Sequence, residues 1–253
     1  TIPDLDVAFY LFFDSYEMLS IHRGFSHSIL FSVLCSFLIV YLIQRFHWSK
    51  EIAYIWLWLF SWLTLITHML LDTFTSYGTQ LLLPFSNKRI SWDSINVVDP
   101  VYTVPLIFGL IFSVFVFNKN ALRSRPNSIG LVISTIYLLT TLGVKNHVES
   151  YFENEMTSHN IQFKSLLTMP VGIANINWYG VAKTTDSLYM SKYSLFSKKE
   201  QILVESFPIN DNLLSTLNSD VADKMRWFAK GNYTVESDGH KLRIYNLQVD
   251  MRG

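Results

Sequence analysis

The chain has 253 residues, half of them hydrophobic and only 16% charged, with 20 Lys+Arg against 20 Asp+Glu and a mean hydropathy of +0.24. Soluble domains carry about 25% charged residues, so the balance points to a membrane protein, and zero net charge offers no basic surface for nucleic acid. The one cysteine, Cys35, lies in an apolar run, which excludes a disulfide framework and a zinc held by four thiolates.

The charge deficit is uneven. Residues 1–143 hold 8 Lys+Arg and 8 Asp+Glu, whereas 144–253 hold 12 and 12. This predicts a transmembrane helical domain over 1–144 and a soluble α+β domain over 145–253. Thr1-Ile2-Pro3-Asp4 reads as the middle of a longer chain, with a preceding membrane helix expected and no cleavable signal peptide visible.

In chain order, residues 1–27 are mixed and hold Asp4, Asp6, Asp14, Glu17, His22, Arg23 and His27. Ser28–Phe46 is apolar and just long enough to span a bilayer core. Ile52–Leu71, rich in Trp and Leu, is a second predicted span, and the loop 72–100 is too polar to lie in lipid. Val101–Phe117 and Ile129–Val144 are the third and fourth, joined by a cationic connector. Four such runs exceed what one soluble core needs. The fold class expected is an α-helical polytopic membrane domain with four transmembrane helices, followed by a small α+β extramembrane domain.

Beyond 144, Lys145–Asn160 reads as an amphipathic helix continuing the fourth span. Ile161–Met169 alternates as a strand, and Asn177–Phe196 as a hairpin around Thr184–Ser187. Gln201–Phe207 is another strand. Asn212–Ala229 is a helix capped by Asp211 or Asn212 and stopped by Gly231, and Tyr233–Glu236 with Lys241–Gln248 is a second hairpin.

Cations set the orientation. Arg45, Lys50, Lys119, Arg123 and Arg125 fall in the connectors after the first and third spans, against only Arg23, Lys88 and Arg89 on the opposite face. The positive-inside rule places those connectors in the cytoplasm and the opposite face, with the C-terminal domain, outside a bacterial inner membrane.

Span reversal brings the chemistry together. His22 and His27 precede the first span, His68 and Asp72 end the second, and Asp99 precedes the third, so all reach one membrane face; Asp4 and Asp6 join them. His68 and Asp72, four apart on a helix, project from the same side. Imidazoles and carboxylates in this mix suit a divalent metal, zinc first, with manganese or iron as alternatives. Such an ion acidifies water and polarises a carbonyl or phosphoryl oxygen. Asp6 or Asp99 is then a candidate catalytic base, and Lys88 with Arg89 a candidate phosphate site. Each has a plainer reading: Asp4 and Asp6 as a helix start, Asp99-Pro100 likewise, His22-Arg23-Gly24 as a polar entry to the first span, Lys88-Arg89 as a headgroup pair. Trp56, Trp58 and Trp62 are read as packing and interface anchors, and Trp178 as a lid or packing residue.

Pro3-Asp4-Leu5-Asp6, His22-Arg23-Gly24-Phe25-Ser26-His27-Ser28, His68-x3-Asp72 with Thr75–Gln80 and Pro84-Phe85-Ser86, and Val98-Asp99-Pro100-Val101-Tyr102-Thr103 together resemble the YdjM-like family of inner-membrane metal-dependent hydrolases. The resemblance covers most of the chain. It implies Asp4, Asp6, His22, His27, His68 and Asp72 as metal-site residues, and Arg23, Arg89 and Asp99 as residues supporting the metal or touching substrate. The function expected is metal-dependent hydrolysis of a lipid-linked or membrane-adjacent ester, phosphoester preferred. The alternative is a non-catalytic membrane protein whose His/Asp cluster staples helix ends while its outer domain binds a partner.

Overall fold

The computed structural model describes residues 2–46, 51–116, 122–196, 204–239 and 241–248. Lys50 and Lys119, two of the cations behind the orientation, and residues 201–203 of a predicted strand lie outside them. Two compact units emerge, Thr1–Trp92 with Ser215–Gly231, and Asp93–Leu214 with Asn232–Gly253.

The first unit begins with a 3₁₀ helix over Pro3–Leu11, led by Pro3, whose missing N–H costs nothing at a helix start. α1 (Ser15–Ile21) opens with a capping box in which Glu17 accepts from the Asp14 amide at 3.2 Å. A one-turn 3₁₀ segment, Phe25–His27, leads into α2 (Ile29–Arg45), capped by Ser28 Oγ on the Phe31 amide. α2 is bent 57° from the segment before it. α3 (Tyr54–Thr73) has 20 residues, a length of about 30 Å, matching the hydrocarbon core.

Small side chains lie between α2 and α3. Ser32, Ser36 and Ser61 are buried, and Trp62 Nε1 donates to Ser32 Oγ at 3.2 Å. In lipid, close backbone approach and interhelical hydrogen bonds replace the hydrophobic drive available in water. Outward-facing Phe37, Leu38, Tyr41, Phe60 and Leu63 are exposed, as suits helices whose solvent is acyl chain.

The loop after α3 turns back over the helix ends. Thr79 and Ile90 exchange backbone hydrogen bonds, the Gln80 amide donates to Arg23 O, and the Ile29 amide to Leu81 O. α6 (Ser219–Phe228) packs here too, with Tyr16 Oη donating to Asp220 O. The sequence predicts one helix over 212–229. The structure divides it into a 3₁₀ turn, Asp211–Thr216, and α6. The cap is Asn218, whose extended backbone breaks the helix while its side chain accepts from the Asp220 amide.

In the second unit α4 (Pro100–Ile111) continues into a π turn, Phe112–Val116. α5 (Arg125–Ser158) runs 34 residues, about 51 Å, well beyond a bilayer core. The two helices touch at glycines: a Cβ on Gly130 would lie 2.5 Å from Pro105 O, and one on Gly109 2.8 Å from Pro126 O. The far end of α5 carries Val148 and Phe152 into a core with Trp178. That core sits on an antiparallel meander, β1 (Ser165–Val171), β2 (Asn177–Lys183), β3 (Ser187–Ser194) and β4 (Glu205–Pro208), in chain order. Gly180 leaves room for the Phe152 ring, whose atoms come within 2.6 Å of where a Cβ would stand. Trp178 is a packing residue, 1% exposed, its Nε1 donating to Asn175 O. β5 (Tyr233–Ser237) and β6 (Leu242–Asn246) form the second hairpin.

The chain is thus helical with a small sheet region. Among the described residues α3 and α5 are long and apolar enough to cross a membrane; the bent pair ending in α2 makes a third if it is one span, and Pro100–Val116 is apolar but shorter.

Candidate metal centre

Four donor atoms converge in the first unit. The N-terminal 3₁₀ helix brings Asp4, the turn before α2 brings His27, and the last turns of α3 bring His68 and Asp72. His27 Nε2 lies 3.4 Å from both Asp4 Oδ1 and Asp72 Oδ2; His68 Nε2 lies 3.2 Å from the former and 3.5 Å from the latter. One atom from each residue fits in a group no more than 4.8 Å across. A tetrahedron of ligands at roughly 2.0–2.1 Å has edges of about 3.3–3.4 Å, so these four separations are of the size that ligands sharing one ion show.

Two observations test the fit. His27 Nε2 and Asp72 Oδ2 are buried without a hydrogen-bond partner, a costly state unless something binds them. Two carboxylates held this close also repel, and a divalent cation offsets that repulsion. The residues fit the metal that the sequence implies.

A second layer holds these donors in place. Asp6 is buried and accepts from the Arg23 amide at 3.0 Å and Ser26 Oγ at 2.8 Å, with His22 Nδ1 at 2.9 Å. Burial raises its pKa, but these hydrogen bonds, with His27 among them, outweigh it and hold Asp6 well below the usual carboxylate range. His27 Nδ1 lies 3.0 Å from Ser26 Oγ and 3.4 Å from Asp6 Oδ2. A carboxylate there favours the tautomer with its proton on Nδ1, leaving the Nε2 lone pair for the metal. Arg23 does the same for Asp72: its guanidinium takes Oδ1 at 3.1 Å and donates to Thr75 Oγ1 at 2.7 Å, so Oδ2 faces the other donors.

The His22-Arg23-Gly24 motif has a local cause. Arg23 sits at φ 55°, a left-handed conformation rare outside Gly and Asn. It is held there by its amide on Asp6, its carbonyl on Gln80 and its side chain on Asp72. A Cβ on Gly24 would meet Ser20 O at 2.6 Å and Ile21 O at 2.7 Å, so no other residue fits without moving the turn.

His22 stands outside the four-donor group, its Nδ1 on Asp6. Asp99 belongs to the second unit, where Oδ1 caps α4 on the Val101 amide and Oδ2 accepts from Tyr137 Oη. Arg89 is buried and donates to the carbonyls of Tyr77, Gly78 and Leu19. Burial pulls its pKa down to about 10, so it stays charged at neutral pH. Lys88 is exposed. Sequence reasoning gave no role to Ser26 or Thr75, although both lie inside the quoted motifs.

A polytopic helical protein with a His/Asp metal-type cluster at a helix end is the class that these features define. The chain belongs to the YdjM inner membrane protein family, whose model matches residues 1–148. It is 37% identical over 79 residues to the uncharacterized protein YfhP of Bacillus subtilis (strain 168), covering 31% of this chain and 24% of that protein. It is 34% identical over 119 residues to inner membrane protein YbcI of Escherichia coli (strain K12), covering 44% of this chain and 67% of that one. The matches thus span about a quarter of YfhP and two thirds of YbcI. No solved structure matches the chain.

Asp6→Asn keeps the shape and removes the charge that orients His27. It is expected to weaken zinc binding by about 10–100-fold, read by competition against a chromogenic chelator. Unchanged affinity would show that Asp6 does not set the His27 tautomer.

Proposed function

We propose that this is a four-span inner-membrane hydrolase that uses a divalent metal to cleave a lipid-linked or membrane-adjacent ester, a phosphoester by preference. The observation that carries the reading is the pair of buried, partnerless donor atoms His27 Nε2 and Asp72 Oδ2, facing Asp4 and His68. Asp4, His27, His68 and Asp72 hold the ion, zinc first, with manganese or iron as alternatives. Bound there, the ion supplies Lewis acidity, lowering the pKa of water to roughly 7 and stabilising charge on a phosphoryl oxygen.

The chain's own residues do the rest. Arg23 fixes Asp72, and Asp6 with Ser26 fixes His27. The side chain of Asp4 is 40% exposed and that of His68 21%, whereas His27 is fully buried, so substrate approaches from the Asp4 side. A base is expected at Asp6 or Asp99. The hydrogen bonds around Asp6 favour an orienting role for it, and Asp99 serves α4 as a cap. The cluster and the C-terminal domain face the extracytoplasmic side in this reading, by the cation count.

A second reading has its own support. Structural zinc sites are closed by four protein ligands, and here four protein donors stand within 4.8 Å of one another, as expected of a staple between helix ends. Against it, structural sites draw on thiolates, and this donor set has none.

Turnover separates the two. The wild type, but not a His68→Ala, Asp72→Ala double variant, is expected to hydrolyse one member of a phospholipid and phosphoester panel. Stoichiometric metal with no turnover across the panel would favour the staple. Orientation has a separate check: a cysteine replacing Phe85, which is 87% exposed, should react with an impermeant maleimide added outside the cell. Labelling only from the cytoplasmic side would invert the topology.

A further inference from the structure

The loop after α3 and the end of α6 line an open cavity of about 750 Å³. Three of its nine lining residues are cations, Lys88, Arg89 and Lys230, and none is acidic. The walls are fixed from within the first unit: Trp227 Nε1 donates to Asn87 O at 3.1 Å, and Lys230 Nζ to Ser91 Oγ at 2.6 Å.

Arg89 is the unusual member. It is 4% exposed, its donors end on backbone carbonyls, and no carboxylate among the described residues pairs with it. Beyond those carbonyls, the rings of Tyr77 and Phe228, each 4.5 Å from the guanidinium carbon, and of Trp227 at 5.4 Å add further negative potential. Ring faces soften the cost of a buried charge without neutralising it. An anion in the adjoining cavity would.

The cavity also lies beside the ends of the apolar helices α2 and α3. Its loop is tied to the start of α2 through the Ile29 amide on Leu81 O, and it follows the end of α3. Leu82, which lines the cavity, is 44% exposed and Trp92 42%. Indoles beside cations are the usual furniture of a membrane–water boundary.

We propose that this cavity binds a phosphate ester of the kind a phospholipid headgroup or a small phosphoester carries. Lys88 and Lys230 hydrogen-bond its oxygens, Arg89 supplies fixed positive charge behind them, and Trp92 with Trp227 pack on the attached organic part. Lys is suited here as a point charge able to follow a mobile headgroup. The assignment does not depend on catalysis at the His/Asp cluster.

The test uses the whole chain in detergent. Inorganic phosphate and glycerol phosphate are titrated by calorimetry, and retention of phosphatidylglycerol against zwitterionic phosphatidylcholine is read by native mass spectrometry. Phosphatidylglycerol is expected to be retained preferentially, and Lys88→Gln with Lys230→Gln to weaken anion binding at least about tenfold. Lys88→Arg with Lys230→Arg should keep it. Retention of phosphatidylglycerol without calorimetric binding of the soluble anions identifies a lipid headgroup as the ligand; soluble-anion binding without lipid preference identifies a free phosphoester. Wild-type chain stripped of metal by a chelator should bind as the untreated chain does. The proposal is overturned if no probe binds the wild type, if the glutamine variant binds every probe like the wild type, or if chelation abolishes binding, which would move the anion to the metal.

Discussion

His27 Nε2 and Asp72 Oδ2 stand 3.4 Å apart, both buried and both without a hydrogen-bond partner. Two imidazoles and two carboxylates lie within a group 4.8 Å across, an arrangement whose carboxylate repulsion a divalent cation would offset. Much of the first unit exists to keep that group assembled. Arg23 takes one oxygen of Asp72 and leaves the other; Asp6 and Ser26 take one nitrogen of His27 and leave the other. The left-handed Arg23 and the crowded Gly24 are the backbone cost of this division.

The membrane setting makes the arrangement economical. α2 and α3 run antiparallel, as the reversing spans require, and so bring the start of one and the end of the other to the same level. The loop after α3 then closes over that level through main-chain hydrogen bonds to Arg23 and Ile29. Donors from three separate stretches meet there, with His68 and Asp72 coming from the last turns of α3 itself.

Local rules carried much of the architecture from the sequence. Ser28 and Asp99 cap α2 and α4 one residue ahead of apolar runs, and period 3.6 placed His68 and Asp72 on one face. Alternation and a polar turn gave the β2–β3 hairpin its register around Thr184–Ser187. Other features depended on distant partners. Nothing local marks Arg23 for φ 55°, yet that turn carries His22 to Asp6 and His27 to the donor group. The cap at Asn218 competes with Asp211 and Asn212, which carry the same chemistry. The association of α6 with the loop after α3, through Trp227 and Lys230, joins residues about 140 positions apart and leaves no periodic signature. The number of spans is the least local quantity of all, since α4 is short and α2, at 17 residues, counts as a candidate span only together with its bent neighbour.

The claim on which the rest depends is that Asp4, His27, His68 and Asp72 bind one divalent ion. Metal analysis of the purified full chain, with X-ray absorption at the edge of whatever metal is found, tests it directly. About one ion per chain is expected, surrounded only by nitrogen and oxygen at roughly 2.0–2.2 Å and lost in His27→Ala. A chain that purifies folded and metal-free, or one whose metal survives His27→Ala, would contradict it.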